Sequence, residues 1–501
     1  MSETSSFDGQ PQQEPRDKGT QTAIAMTTIA KDEGILARVA LRFAAWAERW
    51  YPDAYIFVAA SLVVVAAAAI LRGASPVIVA KAFADGFWSL IVFTLQVSMI
   101  SITGYAVATS PPVLRLIERS AMLPRSGRAA VAFVAAVSTM LSLLNWSVSI
   151  TFSALLVRAL ARRTHLRMDY RAAGAAAFLG AGGTWALGLT SAAAQIQANA
   201  ASLPKSLLPI TGVIPMTDTI YLWQSMLLAL ILIVVSVLVS WISAPKGDGV
   251  VTAEKMGVDL REAKAGEETT HATRSAEWLE VSPLLTILVV ALGLLWIVPE
   301  FAGKNPFIAL SNLNTYNFVL FMLGLLLHWR PRSFLSSAST AVPAISGVLI
   351  QFPFYGAIAA ILTTSAGYDN RTLSDVIATF FISISTAETF PSVVTIYSAV
   401  LGFVLPSGGG KWIVEAPYVI QAAKDLHFHL GWTVQIYNAA EALPNLINPF
   451  WMLLIVGLLA IKPHDIIGFT FAQLVVHVPI VLLFVSLFAR TLEYTPPVIP
   501  Q

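Results

Sequence analysis

The sequence predicts an all-α polytopic membrane protein in which two inverted repeats are joined by a linking span. The first observation is composition, because 56% of the 501 residues are hydrophobic and only 12% are charged, whereas soluble proteins carry about 25% charged residues. The second is a series of apolar segments, since a membrane helix needs about 20 such residues. The third is a polar break within one segment of each half, at Asn145 and at Ser407. The apolar segments lie near 54–71, 86–109, 129–160, 172–190, 222–242, 282–298, 316–328, 340–362, 391–423, 433–460 and 467–489.

The chain opens with a polar segment. Residues 1–34 are rich in Gln, Pro and Ser and contain no apolar core of the kind a signal peptide has. Such a composition buries too little apolar surface to fold, so we expect a disordered cytoplasmic tail. The first apolar run follows Trp50-Tyr51-Pro52-Asp53, whose aromatic pair is typical of the membrane interface.

Arginines on either side of the first interrupted segment indicate its sidedness. The loops at 110–128 and 158–171 are both rich in arginine, and short loops of that kind lie in the cytoplasm. The segment at 129–160 therefore begins and ends on the same side. Because it is also broken at Asn145, we expect a re-entrant helical hairpin entered from the cytoplasm. Two spans before it and two after it make a first repeat over 35–242.

The second half repeats this order upside down. A cytoplasmic loop at 243–281 and a linking span at 282–298 lead into a second repeat over 316–489. Its hairpin, at 391–423, is expected to enter from outside, because the arginine-containing loop near 330–332 is cytoplasmic by the same rule. Short amphipathic stretches, expected as interfacial helices, precede the hairpins at 113–121 and 373–383.

The break in the second hairpin is Leu405-Pro406-Ser407-Gly408-Gly409-Gly410-Lys411-Trp412. Proline and glycine disfavour helix there, and interrupted backbone inside a membrane survives only where protein buries it or where it lines a cavity. A helix that begins after Ser407 would direct free N–H groups toward a carboxylate, and three glycines would allow close approach. We therefore assign Ser407, Gly408, Gly409 and Gly410 to a substrate site; the alternative is a plain tight turn.

Polar residues of the first half offer further hydrogen-bond donors. Asn145 and Ser147 lie at the break of the first hairpin, and Thr184 lies in the next span. All three are assigned to the substrate site. The alternative for each is hydrogen bonding between helices or to its own helix backbone.

Two charged residues and one amide of the second half complete the predicted site. Lys411 would supply the counter-charge for an anion; alternatively, it pairs with Glu415 one helical turn away or extends to water. Glu441 lies inside the apolar 433–460 segment. Because intramembrane carboxylates are costly and mark proton or ion paths, we assign Glu441 to proton coupling, with a structural hydrogen bond as the alternative. Asn445 follows one turn later and joins the substrate site.

Composition and motifs exclude several kinds of site. The chain has no cysteine, which removes thiol catalysis, disulfides and cysteine metal sites. A net charge of +2 is too small to indicate a nucleic acid partner. No Walker, HExxH or GxSxG pattern occurs in a suitable context, so we expect neither an enzyme nor a cofactor or metal site.

Several stretches between Trp50 and Phe488 form a recognisable set: Trp50-Tyr51-Pro52-Asp53, Asp85-Gly86-Phe87-Trp88, Gln351-Phe352-Pro353-Phe354-Tyr355, Pro406-Ser407-Gly408-Gly409-Gly410-Lys411-Trp412 and Asn448-Pro449-Phe450-Trp451. Together they resemble the short-chain fatty acid transporter family, bacterial carriers within the ion-transporter superfamily. This resemblance implies uptake of small monocarboxylates such as butyrate or acetoacetate across the bacterial inner membrane. It also implies a homodimer with a fixed scaffold and a moving, hairpin-bearing domain.

The chain departs from the family pattern at two places. Thr184-Trp185 is followed by Ala186-Leu187-Gly188, where the family is richer in glycine. Lys411 occupies a position where His is also expected.

These observations favour a secondary active transporter for short-chain monocarboxylates that works by alternating access around the two hairpin tips, with its N-terminus in the cytoplasm. Protons are the expected coupling ion and sodium is the alternative. The same fold carrying di- or tricarboxylates or another organic anion is one rival, and a passive anion channel is another. An intramembrane enzyme would need a nucleophile–base pair, and no convincing pair is present. The sequence leaves substrate chain length and transport direction open.

Overall fold

The computed structural model describes residues 54–260 and 277–499, and helix is its dominant structure. Within these residues the only β-type pairing is an isolated bridge between Val213 and Val498. The tail predicted at 1–34 and the aromatic anchor at 50–53 lie outside the described residues, as does the middle of the 243–281 loop.

The α-helices of the described residues are, in chain order, α1 (Ala54–Leu71), α2 (Pro76–Phe87), α3 (Ile91–Ala108), α4 (Pro111–Ala121), α5 (Gly127–Leu144), α6 (Trp146–Ala161), α7 (Tyr170–Leu179), α8 (Ala192–Ala198), α9 (Leu208–Thr211), α10 (Trp223–Ser243), α11 (Trp278–Val281), α12 (Leu284–Phe301), α13 (Pro306–Ala309), α14 (Leu313–His328), α15 (Pro331–Ala341), α16 (Ser346–Thr364), α17 (Leu373–Ile384), α18 (Phe390–Val404), α19 (Gly408–Asp425), α20 (Leu430–Asn445), α21 (Pro449–Leu459) and α22 (Pro463–Ala489).

Among the described residues, 7 helical stretches are long and apolar enough to cross a membrane, or up to 8 if the bent pair α20–α21 forms one span. The longest stretch combines α2 and α3 over 33 residues. The predicted all-α polytopic class is therefore confirmed. Helices α4 and α17 occupy the amphipathic stretches that were expected to precede the hairpins.

Asn145 separates the two arms of the first hairpin, α5 and α6. Its backbone is extended (φ −157°, ψ 121°), and its side-chain Oδ1 accepts hydrogen bonds from the backbone N–H of Ser147 and Val148 at 2.8 and 3.0 Å. This capping satisfies first-turn donors of α6. The arms fold back on each other, since Ser149 Oγ donates to the Ser138 carbonyl across the hairpin at 2.7 Å.

Ser407 has the equivalent position in the second hairpin, between α18 and α19. Its backbone is also extended (φ −152°, ψ 105°), and its Oγ accepts from the Gly410 N–H at 3.2 Å. The hydroxyl groups of Tyr397 and Tyr418, one on each arm, lie 2.8 Å apart. Both sequence breaks are therefore helix–turn–helix hairpins. Their re-entrance from one side of a membrane stays a prediction.

Two spans that were expected to be continuous are broken. In the first half, α7 ends at Leu179 and is followed by a π-helical turn (Gly180–Thr184) and a 3-10 turn (Trp185–Leu187) before α8 begins. A side chain at Gly180 would overlap Ser138 and Ser149 of the first hairpin, so the glycine permits this close packing.

In the second half, the axes of α20 and α21 differ by 72°. Asn448 caps α21 by accepting from the Phe450 N–H at 3.0 Å, and Pro449 occupies the first helical position, where its missing N–H costs nothing. Each half thus contains a hairpin followed by a broken span.

Helix α2 was not predicted. Lys81 and Asp85 interrupt its apolar character, and only Val79, Ala82 and Gly86 among its residues are buried. Its surface is therefore amphipathic rather than uniformly apolar, and it does not stand out in a search for apolar runs.

The two hairpins have matching neighbours. Helix α5 packs against α7 and α10, and α18 packs against α20 and α22. The second arms contact the opposite halves, because α6 packs on α21 and α19 packs on α8. Helices α10 and α22 contact each other. The set of contacts is therefore the same when each first-half helix is replaced by its second-half counterpart. These contacts also bring the four backbone breaks close to one another.

Candidate functional site

A cavity of about 440 Å³ lies where the backbone breaks meet. Its lining includes Trp146, next to the first break, and the tip of the second hairpin. The lining side chains and backbone belong to Tyr55, Phe93, Val97, Ile100, Trp146, Ala181, Trp185, Thr190, Ala192, Gln195, Ser346, Gly347, Val348, Ile350, Gln351, Phe352, Pro406, Ser407, Gly408, Gly409, Phe450, Trp451 and Leu453.

Four helices begin at this cavity. Trp146 of α6, Ala192 of α8, Gly408 of α19 and Phe450 of α21 are all first-turn residues, and all four line the cavity. The first N–H groups of a helix have no partner within the helix, and the helix dipole makes this end partially positive. Four such ends around one volume make the cavity partially positive. At α6 the contribution is that of the helix dipole alone, because its first N–H groups are bonded to Asn145 and Thr190.

The caps of these helices share a residue type. Each is a short polar side chain that accepts a hydrogen bond from a first-turn N–H, as helix N-caps commonly do. The caps are Asn145, Ser191, Ser407 and Asn448.

The three glycines at the start of α19 are each packed against another part of the protein. A Cβ at Gly408 would lie 2.5 Å from the Trp185 ring, and a Cβ at Gly410 would overlap the Tyr355 ring. Gly409 has slightly more room, since its nearest neighbour would be 3.0 Å from an added Cβ. The absence of side chains therefore allows α19 to begin deep inside the aromatic packing, with its N–H groups at the cavity.

The cavity walls are mainly apolar. Trp185 and Trp451 face each other across the two broken spans with ring centroids 6.4 Å apart. Polar contributions come from Thr190, Gln195 and Gln351. Among the residues that the structure describes, the lining contains no Asp, Glu, Lys, Arg or His. The groups of this lining that favour an anion are therefore the positive ends of helices.

Of the predicted substrate residues, the structure places Ser407, Gly408 and Gly409 on the cavity. Gly410 lies one residue further into α19 and is not part of the lining. Asn445 is fully buried at the end of α20 and does not line the cavity either. Their predicted contacts with substrate are not visible in this arrangement.

Three other predicted residues make hydrogen bonds within the protein. Asn145 Nδ2 donates to the Tyr316 hydroxyl at 3.1 Å, and Ser147 Oγ donates to the Ser101 carbonyl at 2.9 Å. Thr184 Oγ1 lies 2.7 Å from Ser142 Oγ. None of the three lines the cavity, and their observed partners match the structural alternative noted for each. Their predicted role in binding stays a prediction.

Lys411 lies in a buried charge cluster. Its Nζ is 3.1 Å from Glu415 Oε1 and 2.9 Å from Glu441 Oε2, and all three side chains have zero exposure. Lys411 Nζ also donates to the Ser398 carbonyl at 2.9 Å and to Ser398 Oγ at 2.8 Å. The ring of Tyr437 lies 4.2 Å from the same nitrogen. The pairing with Glu415, named above as an alternative to the substrate role, is present, and Glu441 is a second partner. Lys411 does not line the cavity, and its role as counter-charge for the substrate stays a prediction.

This cluster is connected to the hairpin tip through two short links. The Tyr437 hydroxyl, beside Lys411, donates to the Gly408 carbonyl at 2.6 Å. The backbone N–H of Lys411 donates to the Ser407 carbonyl at 2.8 Å. The buried cluster is therefore connected by hydrogen bonds to Ser407 and Gly408, two residues of the cavity wall.

The sequence analysis missed several lining residues, among them Trp146, Thr190, Gln195 and Trp451. Two sequence signals mark the backbone breaks beside which some of these residues lie. Asn448-Pro449 is a helix-start pattern inside an apolar segment, and the Gly-rich run at 180–183 marks a helix end. Among the described residues, no group of three or more His, Cys, Asp or Glu side chains is arranged to hold a metal ion.

Solved structures with the same fold include two transporters. The YdaH transporter of Alcanivorax borkumensis matches with a TM-score of 0.53 at 14% identity, over 88% of this chain and 98% of that one. MtrF of Neisseria gonorrhoeae, described with a class of antimetabolite efflux pumps, matches with a TM-score of 0.52 at 14% identity, over 92% and 99% of the two chains. At this level of identity the similarity concerns the fold alone.

Sequence comparison identifies nearer relatives. A protein of Escherichia coli (strain K12) named as a short-chain fatty acid transporter is 30% identical over 456 residues, covering 91% of this chain and 100% of the relative. One of Haemophilus influenzae with the same name is 27% identical over 458 residues, covering 90% and 99%. The family model described as short chain fatty acid transporter matches residues 35–488. This multi-pass membrane protein therefore belongs to the short-chain fatty acid transporter family.

Proposed function

We propose that the protein is a secondary active transporter that takes up short-chain fatty acids or related small monocarboxylates, such as butyrate and acetoacetate, across the bacterial inner membrane with protons. The observation that carries this proposal is the convergence of four helix N-termini on an apolar cavity without charged side chains. Such a cavity suits a ligand with one carboxylate and a short hydrocarbon chain. The carboxylate accepts hydrogen bonds from the Gly408 and Gly409 N–H groups, to which the Ser407 cap does not bond, and the chain packs against Trp185 and Trp451.

The lack of cationic lining argues for monocarboxylates over di- or tricarboxylates. Each helix terminus provides about half an elementary charge, and the cavity wall adds no Lys or Arg to balance further carboxylates. A second ionised carboxylate would have to be buried against tryptophan or aliphatic groups, which is costly without a partner.

Charge counting supports proton coupling at the Lys411 cluster. One ammonium faces two carboxylates, so the fully ionised cluster carries a net charge of minus one in a site with no exposure. Burial is least costly when the cluster has no net charge. The cluster becomes neutral when one of the two carboxylates binds a proton. We assign that proton to Glu441, because it belongs to a different helix from Lys411 and can separate from it when the hairpin moves.

The inverted-repeat arrangement supports alternating access. The matching contacts of the two hairpins are those expected of two repeats related by a twofold axis. We infer that each hairpin tip in turn opens the cavity to one side, and that a homodimer supplies the fixed scaffold. Protonation of Glu441 weakens its pairing with Lys411 and so favours release of the second hairpin.

The proposal is tested by competition for uptake into proteoliposomes. Unlabelled acids of two to six carbons should inhibit uptake of a labelled C4 acid, whereas succinate and citrate should not. Gly409→Leu should abolish this uptake, because its side chain projects from the cavity wall. Gly468→Leu is the matched control, since a Cβ there meets nothing within 4 Å. Equal inhibition by citrate, or normal uptake by Gly409→Leu, would contradict the proposal.

A further inference from the structure

A second cavity, of about 260 Å³, lies at the arginine-rich end of the molecule. It is formed where the start of α5, the loop between α6 and α7, and the segment after α10 meet. Its cationic lining consists of Arg128, Arg167 and Lys246, one from each of these elements, and no acidic residue of the described part of the chain lines it. Its remaining lining is Ser126, Gly127, Leu166, Trp241, Pro245, Gly247 and Val250.

The three cations are brought together by specific packing. A Cβ at Gly127 would lie 2.7 Å from the Arg167 carbonyl, so the close contact of these two elements needs glycine. Arg167 itself has a left-handed backbone, with φ at 46°, which non-glycine residues adopt only at a cost. Its Nη2 donates to the Gly247 carbonyl at 3.5 Å, which links the second element to the third.

Arg128 is oriented by the end of α10. Its Nε donates to the Trp241 carbonyl at 2.8 Å, and its guanidinium lies 5.1 Å from the centre of the Trp241 ring. These partners are neutral, so they fix the position of the charge without cancelling it. Three like charges around one cavity repel each other, and an anion between them removes that cost.

The surface next to this cavity identifies the kind of anion. Leu230, Val234, Leu238 and Ile242 follow one another at intervals of four residues along α10, and they are 56%, 48%, 54% and 72% exposed. Residues with this spacing form one face of a helix, and this face ends at Trp241 and the basic cavity. An apolar stripe that leads into a cationic pocket matches a molecule with acyl chains and a charged headgroup.

We propose that this basic cavity binds the phosphate headgroup of an anionic phospholipid, with an acyl chain along the exposed face of α10. The phosphate oxygens accept hydrogen bonds from the Arg128 and Arg167 guanidinium groups and from Lys246. Ser126 and Gly127 place the N-terminus of α5 at the same cavity, which favours the anion further. The lipid thereby connects the start of α5, at the open end of the first hairpin, to the C-terminal end of α10.

Native mass spectrometry of the detergent-purified protein tests this proposal with phosphatidylglycerol and phosphatidylcholine as probes. The unmodified protein should bind one phosphatidylglycerol more tightly than phosphatidylcholine. Arg167→Gln combined with Lys246→Gln should weaken that binding by about five-fold for each cation removed. Both residues are exposed, so these changes leave the packed interior intact.

Two comparisons separate the alternatives. Arg119→Gln combined with Arg125→Gln removes the same charge outside the cavity and should leave phosphatidylglycerol affinity unchanged; an equal loss would overturn the proposal by showing general attraction to a basic surface. Inorganic phosphate and glycerol phosphate should not displace the lipid at equal concentration, because they lack acyl chains. Displacement by either would indicate a site for free phosphate and would overturn the lipid assignment.

Discussion

Gly410 is the most closely packed of the glycines in the second hairpin. A Cβ at this position would overlap the ring of Tyr355 on α16, which is itself fully buried. We therefore expect Gly410→Ala to displace the start of α19 and to lower the uptake rate at least ten-fold. Gly409→Ala should retain most activity, because its Cβ would lie 3.0 Å from the Phe93 ring, a close contact that a small shift of that ring relieves. Initial uptake rates in proteoliposomes measure both.

The clash itself can be tested by making room for the new methyl group. Gly410→Ala combined with Tyr355→Leu should recover part of the activity, because contacting residues couple in double-mutant cycles. Full activity of Gly410→Ala alone would show that the tip is less closely packed than the structure indicates.

Lys411 holds two buried carboxylates, so its removal leaves their charge unbalanced. Lys411→Gln should destabilise the protein by about 3–5 kcal/mol, the usual cost of breaking a buried ion pair. The double variant Lys411→Gln/Glu415→Gln removes one of the stranded carboxylates and should be more stable than Lys411→Gln. Thermal unfolding in detergent measures this order, and the reverse order would be inconsistent with the observed cluster.

Glu441→Gln tests proton coupling while it preserves the cluster's neutrality. The variant keeps the Lys411–Glu415 pair, which lies at 3.1 Å, so it should fold. Glutamine mimics a permanently protonated carboxyl, and we expect counterflow exchange of substrate to persist while proton-driven accumulation disappears. Glu415→Gln is the comparison variant. It leaves Lys411 with one carboxylate, Glu441, so this pair is neutral without a bound proton, and proton-driven accumulation should weaken while the fold is retained.

Counterflow and gradient-driven uptake in the same vesicles distinguish the outcomes. Loss of both activities in Glu441→Gln would favour a structural role for this carboxylate. Accumulation by the Gln variant under a proton gradient would exclude Glu441 as the coupling site.

At the residue scale, the sequence predicted local contacts better than distant ones. Lys411 and Glu415 are four residues apart on one helix, and their pairing follows from helical geometry. The approach of Glu441 to Lys411 depends on how α20 packs against α18 and α19, which residue spacing does not encode. The aromatic lining at Trp185 and Trp451 depends on tertiary packing in the same way.

At the scale of elements, the first hairpin turn depends on one amide. Asn145 caps α6 with its oxygen and contacts the Tyr316 hydroxyl with its nitrogen, and that hydroxyl donates to the Leu144 carbonyl at 2.7 Å. Asn145→Ala should cost about 1 kcal/mol for the lost cap, with a further loss from the unpaired Tyr316. Asn145→Ser should retain most of the stability because serine also caps helices.

Transport by Asn145→Ser separates this structural role from substrate binding. An unchanged apparent substrate constant would show that the Asn145 amide acts through the turn. A large increase, in a variant with native thermal stability, would support the predicted contact with substrate. Tyr316→Phe keeps the Asn145 cap and removes both hydrogen bonds of the Tyr316 hydroxyl, to Asn145 and to the Leu144 carbonyl, so it provides the control for these two contacts.

The hairpins were predictable as elements because each break contains residues that end helices, Asn145 in one and Pro406 with three glycines in the other. The breaks in the two following spans were not, because apolar residues continue through them. Leu446, Ile447 and the cap residue Asn448 separate α20 from α21, and hydropathy alone does not distinguish such a short linker from helix. In the first half, Ala181 lies within the equivalent break. Only the capping and glycine patterns mark these positions.

At the scale of the whole molecule, the inverted-repeat plan predicts which loops share a side of the membrane. The chain has no cysteine, so single cysteines can be introduced without background. Cysteines in place of Arg125 and Arg163 should both be labelled from the cytoplasm by an impermeant maleimide. Cysteines in place of Ser392 and Lys424 should both be labelled from outside.

The two cysteines of each pair lie before and after one hairpin. The informative comparison is therefore whether both cysteines of a pair are labelled from the same side of the membrane. Labelling of either pair from opposite faces would mean that the hairpin crosses the membrane, and the inverted-repeat plan would be wrong. Permeabilised cells provide the control that each cysteine is reactive when it is accessible.

Proton-driven accumulation in proteoliposomes is the measurement that tests the transport mechanism most directly. A labelled C4 monocarboxylate is supplied to vesicles under an imposed inward proton gradient, with Gly409→Leu vesicles as the baseline for acid that crosses the bilayer unaided. We predict that the unmodified protein concentrates the acid above this baseline, that a protonophore removes the excess, and that sodium does not affect it. Equilibration to the baseline level without accumulation would indicate a passive channel, and accumulation that requires sodium would contradict proton coupling at Glu441.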